Sequence, residues 1–172
     1  MTKSLIIKQK LKKYIKEIAL FILIMTVIAN VISFYKSMDL NKQKLQEMSV
    51  TLLDKTSYTH PKDKPILIHF WATWCPTCKL EASNIQSISK DYEVLTIAVN
   101  SGSNEEIKEY MSKNSFDFKV YSDESVFFAK EFKIAAYPTT FIYDKDKNLI
   151  FSEVGFTSTL GLYFRMWIAD KF

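Results

Sequence analysis

The sequence contains little cysteine, histidine, glycine or proline. Only two of its 172 residues are cysteines and two are histidines, His60 and His69. A structural zinc site needs four ligands, so it would require every cysteine and histidine in the chain, including His69 in the middle of an apolar run. With three glycines, four prolines and no repeat or low-complexity tract, the composition also argues against a long flexible linker.

Net positive charge is confined to the N-terminal region. The chain has a formal net charge of +4, but residues 1–35 hold six lysines against the single acid Glu17 and so carry +5, which leaves −1 for the remainder. These lysines are Lys3, Lys8, Lys10, Lys12, Lys13 and Lys16. Because the rest of the chain has no basic excess, the charge pattern excludes nucleic-acid binding and indicates a membrane-targeting segment.

A long apolar run follows these lysines. In the eighteen residues from Ile18 to Tyr35 only Thr26, Asn30 and Ser33 are polar, and this length is enough to cross a bilayer. A cleavable signal peptide is the competing interpretation, but the run is longer than a usual signal core and no small-x-small cleavage site follows it. We therefore expect a retained transmembrane anchor.

The charge and hydropathy patterns predict four segments. Residues 1–17 form a basic segment on the cytoplasmic side, because lysines concentrate there, and residues 18–35 form the anchor. Residues 36–64 are expected to be a polar juxtamembrane linker with a possible short strand from Val50 to Leu53 and a loop from Ser57 to Lys64. Residues 65–172 are expected to be the folded domain, outside the cytoplasm.

Both cysteines lie in one motif, Cys75-Pro76-Thr77-Cys78, directly after Trp74. The apolar run from Ile66 to Trp71 predicts a buried strand, and the proline at position 76 predicts the start of a helix. Backbone N–H groups at a helix start favour a thiolate, so Cys75 is the expected nucleophile. Cys78 lies one helical turn later, where it can close a disulfide with Cys75 and serve as the resolving thiol. Carriage of Cu(I) is an alternative use of such a pair.

The rest of the sequence predicts an α/β domain with a central mixed sheet flanked by helices. Its last helix has a stripe of apolar residues, Leu160, Phe164, Trp167 and Ile168, which is expected to cover the sheet, with contact to a membrane surface as the alternative. The predicted elements are a strand over 66–71, a helix over 76–91, a strand over 94–99, a helix that begins after Ser103 and ends at about Lys113, an extended segment over 118–121, a helix capped by Asp123, strands over 139–143 and 149–154, and a helix from about Ser158.

These features resemble thioredoxin-fold proteins. The resemblance runs from about Pro65 to the C-terminus and is carried by the motifs Phe70 to Cys78, Ala98 to Gly102, Tyr137-Pro138-Thr139 and Gly155 to Ser158, with Gly161 and Arg165 to Trp167. The chain is most similar to the membrane-anchored extracytoplasmic branch that includes TlpA and ResA, and within it to the proteins named for suppression of copper sensitivity.

The resemblance implies roles for several residues. Pro138 is expected to be a cis-proline beside the dithiol, and Tyr137, Pro138 and Thr139 are expected to contact an extended segment of a partner protein. The alternative is a trans proline that starts an edge strand. Trp74, Pro76 and Thr77 are expected to shape the redox turn.

Two further residues are expected to support the cysteines. His69 takes the place of the Asp or Asn that relatives carry six residues before the first cysteine, so it either relays a proton of Cys78 or fills the core. Glu81 shares a helix face with Cys78 and either raises a thiol pKa and carries its proton or is an ordinary solvated side chain.

The resemblance also implies an activity. The expected protein is a thiol:disulfide oxidoreductase, acting as a reductant or isomerase, in the bacterial cytoplasmic membrane with its catalytic domain on the periplasmic side. It needs no cofactor or metal beyond the redox-active disulfide, and a membrane electron donor of the DsbD or CcdA type is expected to reduce it. Its expected substrates are disulfide-containing proteins, and the sequence leaves open whether these are an apocytochrome of cytochrome c maturation, a protein of copper tolerance or a sibling oxidoreductase. The alternatives are a DsbA-like oxidant and a non-catalytic copper-handling module.

Overall fold

A computed structural model describes the backbone of residues 2–172 and the side chains of Lys10 and residues 12–172. The first helix, α1 (Thr2–Lys36), contains the predicted anchor over 18–35, and its part Lys12–Lys36 is long and apolar enough to cross a membrane. The side chains of Lys3 and Lys8 lie outside the described part. The chain divides into two compact units at Tyr35, and the second unit is Lys36–Phe172.

The second unit contains two sheets. A small antiparallel sheet pairs β1 with β2, and a five-stranded mixed sheet has the order β5-β4-β3-β6-β7, in which β3, β4 and β5 are parallel and β6 and β7 are antiparallel to their neighbours. The elements are β1 (Ser49–Thr51), β2 (Ser57–Thr59), β3 (Ile66–Trp71), α2 (Pro76–Ile88), β4 (Glu93–Val99), α3 (Asn104–Lys113), β5 (Lys119–Asp123), α4 (Phe127–Glu131), β6 (Thr139–Tyr143), β7 (Leu149–Val154) and α5 (Thr159–Ala169). The predicted mixed sheet flanked by helices is confirmed.

Both faces of the large sheet are covered. Helices α2, α3 and α5 cover one face, where Leu67 and Trp71 of β3 join their apolar side chains in one core. Ile66, Ile68 and Phe70 point to the other face, which is covered by α4 and the segment that precedes β3. Because β3 is buried on both sides, its sequence is apolar throughout except at His69.

The segment 36–64, expected to be a linker, packs onto the domain. Backbone N–H groups of Asn41 and Leu45 donate to the carbonyls of Phe132 and Lys147, at 3.2 and 3.0 Å. Six of its apolar side chains are buried in the core of the second face: Leu40, Leu45, Met48, Val50, Leu52 and Tyr58. The compact unit therefore begins at Lys36 rather than Pro65.

Part of this segment forms strands. The predicted strand at Val50 is β1, but the predicted loop from Ser57 was wrong at its start, because Ser57–Thr59 forms β2 and pairs with β1. Each strand has only three residues and buries only its central one, so the sequence contains too short an alternation to reveal them.

Two helices are shorter than predicted. Helix α2 ends at Ile88 instead of Asp91, and turns follow it. Asp123 stabilises the start of α4 as expected, since its carboxylate accepts from the N–H groups of Phe127 and Ala129 at 2.7 and 2.9 Å. The residue directly before α4 is Val126, in the left-handed conformation with φ 59°. The helix therefore starts later than its capping side chain indicates.

The apolar stripe of α5 does not cover the sheet, contrary to the prediction. Leu160, Phe164 and Trp167 are 82%, 61% and 52% exposed, and Ile168 is only partly buried. The buried face of α5 consists of Leu162, Met166 and Ala169. Both sides of this helix are apolar, so the sequence pattern did not distinguish the face that packs from the face that is exposed.

Candidate active site

The two cysteines lie where β3 passes into α2. Cys75 is the residue before the first turn of α2, with Pro76 at the first helical position. The structure contains the Cys75–Cys78 disulfide, with Cα atoms 5.3 Å apart, and Cys75 Sγ accepts from the backbone N–H of Cys78 at 3.2 Å. Cys75 and Cys78 are 5% and 2% exposed. The first cysteine thus lies at the end of the helix where N–H groups stabilise a negative sulfur.

The turn before Cys75 is fixed by the end of β4. Thr73 donates its N–H to Ser101 Oγ at 3.1 Å and its hydroxyl to the Ser101 carbonyl at 3.0 Å. The indole N–H of Trp74 donates to the Asn100 carbonyl at 3.0 Å. No chemical role was predicted for Asn100 and Ser101, although they belong to the motif that carries the resemblance. They are the first two residues after a buried strand, and this position is the signal that identifies such a supporting turn.

The expected partner-binding residues lie beside Trp74. The Tyr137–Pro138 peptide bond is cis, as the resemblance implied, and the rings of Trp74 and Tyr137 meet edge to face at 5.7 Å. Gly155 donates its N–H to the Pro138 carbonyl at 2.8 Å, so the loop after β7 borders the same region. Thr139 is buried and its hydroxyl donates to the Ala136 carbonyl. Trp74 is 57% exposed, which leaves an apolar ring accessible next to the cysteines.

The two residues between the cysteines carry no charge. Pro76 is exposed and Thr77 is half-buried. The helix start therefore stabilises a thiolate at Cys75 without a cation between the two thiols.

Glu81 lies one helical turn after Cys78 and is fully buried. Its Oε1 accepts from the backbone N–H of Thr157 at 3.2 Å, and its Oε2 is buried with no hydrogen-bond partner. Burial, opposed by the Thr157 hydrogen bond and reinforced by the charge of Glu153, raises the pKa of Glu81 to about 8. Glu81 is thus largely protonated at neutral pH, and it is not the solvated side chain that was the alternative prediction.

His69 lies in the middle of β3, on the face that α2 covers. Its Nδ1 is 2.9 Å from the hydroxyl oxygen of Thr140, and the side chain is 2% exposed. Burial lowers the pKa of His69 to about 3, so the imidazole is neutral at physiological pH. The sequence did not identify Thr140 as its partner, because that contact depends on the register between β3 and β6.

A match to a family model identifies the family of the chain. Residues 36–152, more than half of the chain, match the model of the AhpC/TSA family. The chain belongs to the AhpC/TSA family. The matched range begins where the compact unit begins and includes Cys75, Cys78 and Pro138.

Relatives of this AhpC/TSA family member are thiol-disulfide oxidoreductases and thioredoxin-like proteins. A thioredoxin-like protein from Haemophilus influenzae is 30% identical over 168 residues, which cover 95% of this chain and 99% of that protein. The thiol-disulfide oxidoreductase ResA from Bacillus cereus is 24% identical over 148 residues, covering 78% and 86%. These relatives confirm the predicted family of ResA-like oxidoreductases.

Solved structures give the same fold. A thiol:disulfide interchange protein of the thioredoxin family from Chlorobium tepidum matches with a TM-score of 0.66 at 23% identity, covering 76% of this chain and 98% of that one. This likeness confirms the thioredoxin-like fold. The part Lys12–Lys36 of helix α1 has the length and apolar composition of a single membrane span.

The geometry of this AhpC/TSA family member suits dithiol exchange with disulfide-containing proteins. The two sulfurs are within bonding distance, one of them lies at a helix start, and an exposed aromatic ring lies beside them. A buried carboxyl group follows one turn later on the same helix.

Proposed function

We propose that the chain reduces or isomerises protein disulfides outside the cytoplasm. The Cys75 thiolate attacks one sulfur of a substrate disulfide, forms a mixed disulfide and releases the other substrate sulfur as a thiolate that takes up a proton. Cys78 then loses its proton and attacks Cys75 Sγ, which releases the second substrate thiol and leaves the Cys75–Cys78 disulfide. The substrate gains two electrons and the dithiol loses two.

The observation that carries this proposal is the position of Cys75. Its sulfur accepts the N–H of Cys78 at the first turn of α2, and this interaction favours the thiolate that attack requires. The proposed partner-binding residues are Tyr137, Pro138 and Thr139, which the resemblance supplies, and the exposed ring of Trp74 at 5.7 Å from Tyr137 supports them.

Glu81 is the proposed carrier of the Cys78 proton. It is buried one turn from Cys78, and a pKa of about 8 leaves a minor ionised fraction at neutral pH that can accept the Cys78 proton. His69 is assigned a packing role, because its Nδ1 pairs with Thr140 and a pKa of about 3 prevents the imidazole from holding an extra proton at neutral pH.

The proposal also includes the orientation of the chain in the membrane, its electron donor and its substrates. The lysines before the membrane span support an N-terminus in the cytoplasm and a catalytic unit on the periplasmic side. A membrane carrier of the DsbD or CcdA type would return electrons to the disulfide, and the proposed substrates belong to cytochrome c maturation or copper tolerance. No cofactor or metal enters the proposed reaction.

The absence of charge on Pro76 and Thr77 supports reduction over oxidation, because strong oxidants stabilise their thiolate heavily. A redox titration against glutathione tests this direction. A midpoint well below the roughly −120 mV of strongly oxidising dithiols supports a reductant, whereas a midpoint near that value would indicate a DsbA-like oxidant.

Trapping tests the exchange itself. The Cys78→Ala variant should accumulate mixed disulfides between Cys75 and its substrates in cells, because the resolving thiol is missing. These adducts should disappear on treatment with dithiothreitol and be absent from the Cys75→Ala variant. A Cys78→Ala variant without adducts would support the copper-handling alternative instead.

A further inference from the structure

Helix α5 carries an apolar stripe on the side that faces away from the core. This outer stripe consists of Leu160, Phe164 and Trp167, which are 82%, 61% and 52% exposed. The rings of Phe164 and Trp167 stack with their centroids 6.3 Å apart, so the two aromatic residues form one surface. The other side of the helix, with Leu162 and Met166, is fully buried. The folded unit therefore leaves a contiguous apolar surface for a partner.

The spacing of the outer stripe is that of a helix–helix seam. Its three residues follow one another at intervals of four and three positions, which is the a and d spacing of a coiled coil. A seam of this kind packs against a second helix with the same spacing. A second copy of the chain supplies such a helix, because its α5 presents the identical stripe.

The area of the outer stripe fits a small interface between two copies. Burial of its three side chains would remove about 400 Å² of accessible surface from each copy. Tyr163 and Ile168, which flank the stripe and are half-buried, extend this area to about 500 Å² per copy. Two copies would then bury about 1,000 Å² together, which is the lower bound for a specific interface. The contact is therefore weak between copies that are free in solution.

The charge at the end of the outer stripe favours an antiparallel pair. Lys171 follows Trp167 by four positions, and its ammonium lies 5.8 Å from the centroid of the Trp167 ring. A parallel pair would bring the two Lys171 side chains together, whereas an antiparallel pair separates them. In the antiparallel pair Phe164 lies on the two-fold axis, and Leu160 lies opposite the partner's Trp167.

Two observations favour a second copy over a membrane surface as the occupant of the stripe. A helix that lies on a membrane surface has a polar face rich in lysine and arginine. Between Thr159 and Ala169 the single charged residue is Arg165, and it pairs with Glu153 at 3.0 Å. In addition, Leu40, near the start of the folded unit, is buried on the sheet face opposite α5. The stripe thus points away from the side on which the chain enters the unit.

We propose that two copies of the chain pair through the outer stripes of their α5 helices, in antiparallel orientation. The pairing rests in part on the membrane anchor of the proposed function, because copies anchored in one bilayer meet at a higher effective concentration than free copies. It does not depend on disulfide exchange, because neither cysteine belongs to the outer stripe.

Photo-crosslinking of the full-length chain in bacterial cells tests the pairing. The photoreactive residue p-benzoyl-phenylalanine replaces Phe164, and membrane and soluble fractions are separated after illumination. We expect a covalent adduct of twice the 20.1 kDa of the chain in the membrane fraction. Phe127 of α4, which is 59% exposed, is the matched control position. The photoreactive residue at position 127 should give at least tenfold less of this adduct.

The same photoreactive residue in place of Leu160 tests the orientation of the pair. Trypsin cleaves after Arg165, so Leu160 and Trp167 fall in two different peptides, 148–165 and 166–171. In the excised dimer band, an antiparallel pair links position 160 to the peptide 166–171 of the other copy. A parallel pair links two peptides 148–165 instead.

A charged substitution tests whether the outer stripe itself forms the contact. Trp167→Glu in the chain with the photoreactive residue at 164 should reduce the adduct at least tenfold, because a carboxylate would be buried against an apolar partner. The proposal is overturned if position 164 gives no adduct or only adducts with other proteins, if Trp167→Glu leaves the yield unchanged, if position 127 gives an equal yield, or if the peptides show a parallel pair.

Failure of the pairing and failure of the proposed function are separate outcomes. The Cys75→Ala variant should form the same adduct, so a chain without exchange activity can still confirm the dimer. A chain recovered in the soluble fraction would contradict the proposed anchor, and the adduct is then scored in that fraction by the same criteria.

Discussion

Glu81 on α2 and His69 on the strand beneath that helix are two buried ionisable side chains, and burial moves their pKa values in opposite directions. The pKa of Glu81 rises to about 8, so Glu81 stabilises the fold below its ordinary value of 4.5 and loses this contribution as the pH rises through 8. The pKa of His69 falls to about 3, so its contribution is present above 6.5 and is lost as the pH falls toward 3. Stability should therefore decline on both sides of a maximum at mildly acidic pH.

The Glu81→Gln substitution tests the alkaline side of this profile. Glutamine cannot ionise, so the parent alone loses stability as the pH rises. The free energy of unfolding of the variant should therefore increase relative to that of the parent by about 1.4 kcal/mol for each pH unit between 5 and 8. Guanidinium unfolding of the unit Lys36–Phe172 at several pH values measures the difference. For the exposed Glu47→Gln variant, the free energy of unfolding should change with pH in parallel with that of the parent. A parallel curve for Glu81→Gln as well would show that Glu81 ionises normally in the folded state.

Some residues of the site could be predicted from the sequence, and others could not. Cys75 and Cys78 followed from a local motif, whose spacing determines their geometry, and Pro138 followed from the resemblance to thioredoxin-fold proteins. Thr140 and Thr157 did not, because they reach His69 and Glu81 only through strand register and helix docking between residues more than 70 positions apart.

At the scale of single elements, α5 shows how an apolar pattern can be assigned to the wrong face. Leu160 and Leu162 lie two residues apart, yet Leu160 is 82% exposed while Leu162 is fully buried. The hydrogen bonds of Asn84 to Thr157 and Thr159 fix the rotation of α5 against α2. Those contacts between distant segments, rather than hydrophobicity along the helix, select the packed face.

A matched pair of leucine substitutions tests this assignment. Leu162→Ala should lower the free energy of unfolding by about 2–5 kcal/mol, because it leaves a cavity in the core between α5 and the sheet. Leu160→Ala, on the same helix, should change it by less than about 0.5 kcal/mol. Chemical denaturation of Lys36–Phe172 provides both values. Equal losses would restore the predicted stripe as the packed face.

The elements that the sequence predicted well are those with strong local signals. Strands β6 and β7 match their predicted bounds, and α3 begins with the predicted capping box between Ser103 and Glu106. The hairpin of β1 and β2 was incompletely predicted because each strand is stabilised by tertiary burial of one side chain, Val50 or Tyr58, and has no extended alternation.

At the scale of the whole molecule, the main finding is that residues 36–64 belong to the folded unit. They bury apolar side chains against the face of the sheet opposite α2 and contribute a two-stranded sheet. The segment 36–64 is therefore part of the folded unit.

Chains with two different start points test this boundary. A chain that begins at Lys36 should fold cooperatively, whereas one that begins at Pro65 should lose the cover of Ile66, Ile68 and Leu95 and be less stable or aggregate. Circular dichroism and thermal unfolding of the two oxidised proteins compare them. Equal melting temperatures would mean that residues 36–64 are dispensable for the fold.

The proposed function requires electron transfer through one pair of sulfurs, and insulin reduction measures that transfer. The full-length chain in detergent micelles, with both thiols free and metal removed by a chelator, is mixed with insulin and dithiothreitol. We expect cleavage of the insulin disulfides to be faster than with dithiothreitol alone, and the Cys75→Ala variant to show no acceleration. An intact chain that accelerates cleavage no more than Cys75→Ala would contradict the proposed function.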